Sequence, residues 1–234
     1  MILNRIIPLV LLALPFNSSA QTIRFEGREF EISNAKASVV DFNGEKVLKM
    51  ERDLKQLPFD ADRLEETVDE PFFAKLKGLD FQDGVIEVKM LSQIQEPSPF
   101  QFAQGFIGLA FRIADDNSAY ESIYLRPKVG RSDNQSHRNK AVQYYAYPDY
   151  KFEKLRKQAS GMYETTAPVG LNEWITMRIE VKAGKAHMFI NDTQYSTFVV
   201  DKMLGNTTRG AVALWVDIGT IGYFKDLKII QQPN

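Results

Sequence analysis

Short runs of alternating apolar and polar residues recur along this 234-residue chain. Trp174 to Val181 sets Ile175, Met177, Ile179 and Val181 on one side and Thr176, Arg178 and Glu180 on the other. That period of two predicts a strand with one buried face. Gly184 then predicts a hairpin into His187-Met188-Phe189-Ile190. Phe106 to Ile113 alternates as well, with Ile107, Leu109, Phe111 and Ile113 opposed to Phe106, Gly108, Ala110 and Arg112. Val85 to Met90 follows the turn signal Asp83-Gly84, and Ala141 to Tyr147, Ala186 to Asn191, Ala211 to Val216 and Ile221 to Ile229 behave in the same way. Three stretches break the rhythm. Glu51 to Lys77 is charged and holds Pro58 and Pro71; it reads as a loop with a short helix over Ala61 to Thr67. Pro127 to Lys140 is a polar loop without apolar periodicity. Pro148 to Gly170 mixes Tyr150, Phe152, Leu155 and Tyr163 with charges and reads as an ordered excursion. No repeat is visible. Many antiparallel strands and no long helix predict an all-β, antiparallel two-sheet β-sandwich.

The first twenty residues do not fit that pattern. Arg5 precedes an apolar run from Ile6 to Phe16, too short for a membrane span, and Asn17-Ser18-Ser19-Ala20 ends in small residues. The expectation is a signal peptide over 1–20 cleaved after Ala20, a single jelly-roll domain over 21–234, and a secreted or periplasmic protein with no transmembrane segment left after cleavage. Composition narrows the chemistry. There are no cysteines and two histidines, so disulfides, thiolate nucleophiles and Cys- or His-rich metal centres are excluded. A formal net charge of -1 gives no reason to expect nucleic acid. An exported chain without cysteine has to be held by its core, which points to a bacterial envelope or extracellular setting.

The order of certain residues carries a resemblance. Phe106-Ile107-Gly108-Leu109-Ala110-Phe111-Arg112-Ile113 precedes Tyr120-Glu121 and Tyr124-Leu125-Arg126-Pro127. Glu173-Trp174, Gly210-Ala211-Val212-Ala213-Leu214-Trp215 and Gly222-Tyr223-Phe224-Lys225-Asp226-Leu227 follow. This order resembles the concanavalin A-like lectin/glucanase superfamily, in particular laminin-G-like jelly-roll domains of exported bacterial proteins, over roughly Gln21 to Ile230. The resemblance implies a jelly-roll fold. It does not select among sugar-binding modules, glycoside hydrolases, polysaccharide lyases and adhesion domains.

Retaining glycosidases of that superfamily carry Glu-x-Asp-x-Glu on one strand, and no such triplet occurs here. Glu121 is the best single candidate for a catalytic acid, with a salt bridge to Arg112 or Arg126 as the favoured structural reading. Neither His137 nor His187 has a Gly-x-Ser-x-Gly partner, which argues against nucleophilic catalysis. No cofactor is expected. Calcium is an alternative at Asp115-Asp116-Asn117-Ser118, but a hairpin turn selects the same residues and is favoured. The most informative set is Arg112, Tyr124, Arg126, Gln143, Tyr145 and Trp215. Each has the parity opposite to Leu109/Phe111, Leu125, Val142 and Leu214 on its strand. If the aliphatic set fills the core, the first set lies on the outer face. Sugars stack on Tyr and Trp, and their hydroxyls pair with Arg and Gln. Arg131, Arg138, Asn139 and Arg156 extend the set from loops, and so much guanidinium favours an acidic sugar. The expectation is carbohydrate bound on one sheet face, with Trp215 as the main stacking platform unless it belongs to the core. A hydrolase or lyase of the same fold and an adhesion or protein-interaction module are the alternatives. Oligomeric state is left open.

Overall fold

The computed structural model describes residues 21–232, so the expected signal peptide lies outside the described residues. The strands are β1 (Gln21–Phe25), β2 (Arg28–Ser33), β3 (Ala35–Phe42), β4 (Glu45–Arg52), β5 (Phe73–Leu76), β6 (Gly84–Ile94), β7 (Ile107–Ile113) and β8 (Tyr120–Leu125). They continue as β9 (Val142–Tyr147), β10 (Glu164–Thr165), β11 (Ile175–Lys182), β12 (Lys185–Ile190), β13 (Phe198–Val200), β14 (Ala211–Val216) and β15 (Thr220–Gln231). Among the described residues helix is confined to α1 (Leu64–Thr67), α2 (Gln135–Arg138), α3 (Phe152–Gln158) and single turns at Ala61–Arg63 and Pro127–Val129. Among the described residues no helix is long and apolar enough to cross a membrane.

The strands form two antiparallel sheets. The eight-stranded sheet runs β1-β2-β5-β14-β7-β8-β9-β10, and the seven-stranded sheet runs β13-β12-β11-β6-β15-β4-β3. Hairpin neighbours alternate with strands distant in sequence, as in β2-β5-β14-β7 and β11-β6-β15-β4, the crossing connectivity of a jelly roll. The predicted alternation decides what lies between the sheets. Leu109, Phe111, Leu125, Val142 and Leu214 from one sheet meet Ile86, Val88, Met90, Met177 and Ile179 from the other in one buried core. No disulfide contributes, because no cysteine is present.

Several strands were not legible as alternation. Residues 21–52 form two hairpins whose strands lie near a sheet edge or beside an edge strand, so their outward residues are half-exposed and mixed in polarity. The three irregular stretches also gain definition. Glu51 to Lys77 contains the expected short helix; its residues 53–72 lie across the outer face of the eight-stranded sheet, and Phe73–Leu76 enters that sheet as β5. Pro148 to Gly170 supplies α3 to the same side and β10 to the edge of the sheet. That second layer is what makes the site described below an enclosed space.

Candidate functional site

One cross-strand row organises the outer face of the eight-stranded sheet. Ser33 pairs with Phe73, Phe73 with Trp215, Trp215 with Gly108, Gly108 with Tyr124, Tyr124 with Gln143, and Gln143 with Glu164. Side chains directly opposite on one face touch, so this register brings together residues far apart in the chain, such as Phe73 and Trp215. Gly108 is required at the centre. A Cβ there would lie 2.7 Å from Tyr124 Cβ and 2.5 Å from its Cα. Its absence lets the Tyr124 and Trp215 rings close to 4.9 Å between centroids. Tyr145, one row away, lies 5.8 Å from each of those rings.

The face is roofed. Phe72 stacks on Trp215 at 5.5 Å, and Tyr120 Oη donates to the Asp69 carbonyl at 3.1 Å. Arg52 anchors the roof from below. Its guanidinium donates to the carbonyls of Leu57 (3.1 Å), Thr67 (2.6 Å) and Pro58 (2.7 Å) and stacks on the Phe72 ring at 5.0 Å. Trp215 is therefore fully buried. The expected open stacking platform is corrected: this indole belongs to a packed layer between sheet and roof.

At one end of the roof a cavity of about 260 Å³ remains. Tyr124 and Arg126 form part of its floor, and Phe100, Phe102, Gln104 and Phe106 form one wall. His137 and Lys140 come from the α2 loop, Phe152 and Arg156 from α3, and Leu64, Val68 and Asp69 from the roof, with Asp217 beyond β14. Arg126 is fixed on several sides. It donates to Tyr124 Oη at 2.6 Å, the Lys140 carbonyl at 2.7 Å, Glu164 Oε1 at 3.2 Å and Gln143 Oε1 at 3.3 Å. Glu164 also accepts from Arg156 Nε at 3.0 Å, so one carboxylate bridges two guanidinium groups. Burial lowers the Arg156 pKa, but the hydrogen bond and charge of Glu164 outweigh it and raise the pKa overall.

Two carboxyls sit at the far side of the cavity. Asp217 accepts from the Asp69 amide at 3.1 Å, from the Ile218 amide, and from Arg52 Nη1 at 3.5 Å. Burial still dominates and pushes its pKa up to about 7 against the attraction of Arg52, with the charge of Asp69 acting the same way. Asp69 holds a left-handed backbone at φ 55°, unusual for a residue with a Cβ. Its Oδ2 accepts from the Phe152 amide at 3.1 Å, and burial raises its pKa.

The site residues read from sequence separate into three groups. Tyr124 and Arg126 line the cavity. Gln143, Tyr145 and Trp215 lie on the same sheet face and support it, each fully buried. Arg112, Arg138 and Glu121 lie elsewhere. Ala211 pairs with Ile113 but Ala213 with Ala110, so β7 carries one extra residue and Arg112 takes φ 52°. Alternation fails past that bulge, and the Arg112 guanidinium turns to Asp83 Oδ1 at 2.8 Å and the Gln82 carbonyl at 2.9 Å. Arg138 donates to the Ser132 carbonyl at 2.8 Å. Glu121 shares the core parity of Ile123. It accepts from Tyr144 Oη and from the Gly205 amide at 3.0 Å, and burial raises its pKa. Neither expected arginine bridges it. The Asp115–Ser118 segment is a turn in which the Asp116 carboxylate accepts the Ser118 amide at 2.9 Å. Lys75 Nζ donates there to the Asp115 carbonyl at 3.1 Å and to Asn117 Oδ1 at 2.7 Å. Among the described residues no cluster of three or more carboxylate or imidazole side chains is placed to hold a metal. Asp69 and Asp217 were missed in sequence because neither lies in an alternating run at a readable parity.

No protein-family model matches the chain. No curated protein matches it. Among solved structures it is similar to the carbohydrate-binding module CBM66 from Bacillus subtilis, at 11% identity over 84% of this chain and 94% of that one, with a TM-score of 0.50. It is also similar to a β-glucanase from Bacillus licheniformis at 9% identity, covering 93% and 95% of the two chains with a TM-score of 0.46. A third likeness is to the exoplasmic/lumenal domain of VIP36 in its Ca2+/Man3GlcNAc-bound form, at 9% identity, 92% and 83% coverage and a TM-score of 0.43. At such identities the likeness concerns the fold: a two-sheet, concanavalin A-like jelly roll.

Proposed function

We propose that this chain is an exported, single-domain carbohydrate-binding protein that takes an acidic sugar on the outer face of its eight-stranded sheet. The observation that carries this proposal is the makeup of the cavity. The rings of Phe100 and Phe106 line it and can meet sugar C–H groups, Arg156 and Gln104 add planar hydrogen-bonding groups, and Arg126 adds a positive charge held in place by its own protein partners. Gln104 Oε1 is buried without a hydrogen-bond partner, an acceptor left for a ligand hydroxyl. Charge selects the ligand class. Arg126 and Arg156 share the single carboxylate Glu164, and Lys140 stands beside them. The carboxyls that would offset this charge, Asp69 and Asp217, both have raised pKa values. A uronate or sulfated unit meets an excess of cations there.

The test is titration calorimetry with uronate and neutral oligosaccharides of matched length. Uronates should bind at least tenfold tighter, and Arg126→Lys, which keeps the charge but loses the planar fork, should lose about tenfold in affinity. Neutral and acidic glycans binding alike, or no binding by either, would overturn the proposal.

Asp69 and Asp217 support a second reading, in which the cavity cleaves what it binds. Asp69 is the natural proton donor, since burial raises its pKa above the ordinary carboxylate value and its backbone is held in an uncommon conformation. Reducing-end release from a bound uronate oligomer, lost in Asp69→Asn while affinity survives, would establish it. The absence of release at any pH between 4 and 8 would leave a binding protein.

A further inference from the structure

The cavity does not close on itself. Its wall on one side is the segment between β6 and β7, residues 95–106, and that wall ends in an exposed aromatic ring. Phe102 is 60% exposed although it lines the cavity. Its ring packs edge-on against Phe100 at 5.7 Å and 76°, and Phe100 in turn packs against Phe59 of the roof at 5.1 Å. The Arg52 guanidinium lies 5.7 Å from the far member, Phe59. Three rings thus form a rack that runs from the roof to the rim.

The backbone beneath the rack is held as firmly. Ser98 Oγ donates to the Phe100 carbonyl at 2.8 Å, and the Ala103 amide donates to the same carbonyl at 3.1 Å. The Gln104 carbonyl accepts the Lys128 amide at 3.1 Å, and the Gln95 amide donates to the Gly219 carbonyl at 2.9 Å. The loop rests on Gly219, at φ 72°, where a Cβ would lie 2.6 Å from Ala103 Cβ and 2.7 Å from Ser98 Oγ. A ring kept in water by a braced loop forgoes the gain from burial and suits a partner that arrives from solution.

Size adds a second constraint. A cavity of about 260 Å³ is smaller than the roughly 300–1,000 Å³ of pockets that enclose a whole drug-sized ligand, so it houses about one sugar unit. Any longer ligand has to leave through the mouth, past Phe102.

We propose that Phe102 is the stacking platform of a second subsite, so that the ligand is an acidic oligosaccharide or polysaccharide with one unit in the cavity and the next on the Phe102 ring. This rests on the sugar-binding reading of the cavity and deepens it from a kind of sugar to a chain. Phe102 then determines length selectivity, while Arg126 determines charge selectivity.

The experiment is titration calorimetry of the full chain with galacturonic, glucuronic and mannuronic acid and with the di-, tri- and tetramers of each. The wild type should prefer the dimer over the monomer by at least tenfold for the series that binds. Phe102→Ala should remove most of that preference, weakening dimer and longer oligomers by about tenfold while changing monomer affinity by less than twofold. Phe102→Trp should restore it. Melting temperatures of both variants should stay close to the wild type, because the ring is mostly in water. A wild type that binds monomer and oligomer equally, or a Phe102→Ala variant that weakens both equally, would overturn the second subsite and leave the cavity reading intact. A wild type that binds no member of any series would overturn both.

Discussion

The two sheets present opposite kinds of outer face, although the same alternation builds them. On the seven-stranded sheet the outward residues include Glu87, Lys89, Thr176, Arg178 and Glu180, at least partly open to water. They pair in the manner of a solvated surface, with Lys89 2.8 Å from Asp226 and Lys228 2.9 Å from Glu87. At the centre of the eight-stranded sheet the outward residues include Phe73, Ser122, Tyr124, Gln143, Tyr145 and Trp215, all buried. The difference comes from what lies above. Nothing comparable to the 53–72 segment and α3 covers the centre of the seven-stranded sheet among the described residues, whereas those elements roof the other. A strand's parity tells inside from outside. Only the chemistry of the outward residues tells whether a further layer rests on them: aromatic rings on several adjacent strands are that signal, whereas the seven-stranded sheet carries only a small patch of Val47, Leu91 and Tyr223 covered by Phe42 and Trp174.

The comparison is broken most severely at Trp215. Its ring is in contact with Phe72, Tyr124 and Tyr145, so Trp215→Ala opens a void under the roof. The expected loss is about 3–5 kcal/mol, a fall in Tm of about 10 °C or more in a thermal melt. A change of a degree or two would mean that the roof is not packed on the sheet.

The next effect is on pH dependence. The unfolded Asp217 carboxyl titrates near its ordinary 3.8 and the folded one near 7. Between those values the native state holds a proton that the unfolded chain has released, so stability falls as pH rises through this window and levels off above it. Asp69 acts in the same direction. One such group contributes at most about 1.4 kcal/mol per pH unit. Denaturant melts from pH 4.5 to 8 should show the decline. Asp217→Asn, a neutral mimic of the protonated carboxyl, should flatten it. A slope that is unchanged in Asp217→Asn would place the titration elsewhere.

The sandwich was legible in the sequence because its central strands alternate strictly. Trp174 to Val181 and Ala211 to Val216 could be placed with inner and outer sides assigned, and both lie in the sheets as expected. Tyr124, Gln143, Tyr145 and Trp215 followed from parity and do share a face. Parity failed at Arg112, where one extra residue in β7 reverses it, and nothing local in Phe111-Arg112-Ile113 announces a bulge. Glu121 failed differently: its parity is that of the core, but a buried carboxylate satisfied by Tyr144 and Gly205 depends on partners 23 and 84 residues away. The roof was the largest omission. Its charged, proline-bearing sequence looks like solvent-exposed loop. The contacts that press it onto the sheet, Arg52 to the carbonyls of Leu57, Pro58 and Thr67, are to backbone and leave no side-chain pattern to read.

The smallest effect belongs to the open face, and it completes the contrast. Lys89 sits on the outer side of the seven-stranded sheet, its side chain 46% exposed and 2.8 Å from an Asp226 carboxylate that is 45% exposed. An attraction between two such groups competes with water and with salt, and holding the lysine in one rotamer costs entropy. Lys89→Ala should therefore shift Tm by less than about 2 °C, and 0.5 M sodium chloride should shrink even that difference. Arg126 is also a cation on an outward position paired to a carboxylate, but it is enclosed and makes four hydrogen bonds, so its loss should not be rescued by salt. If Lys89→Ala were as damaging as a change beneath the roof, the seven-stranded face would have to be covered as well, and the enclosed face could no longer be singled out as the one built to hold a ligand.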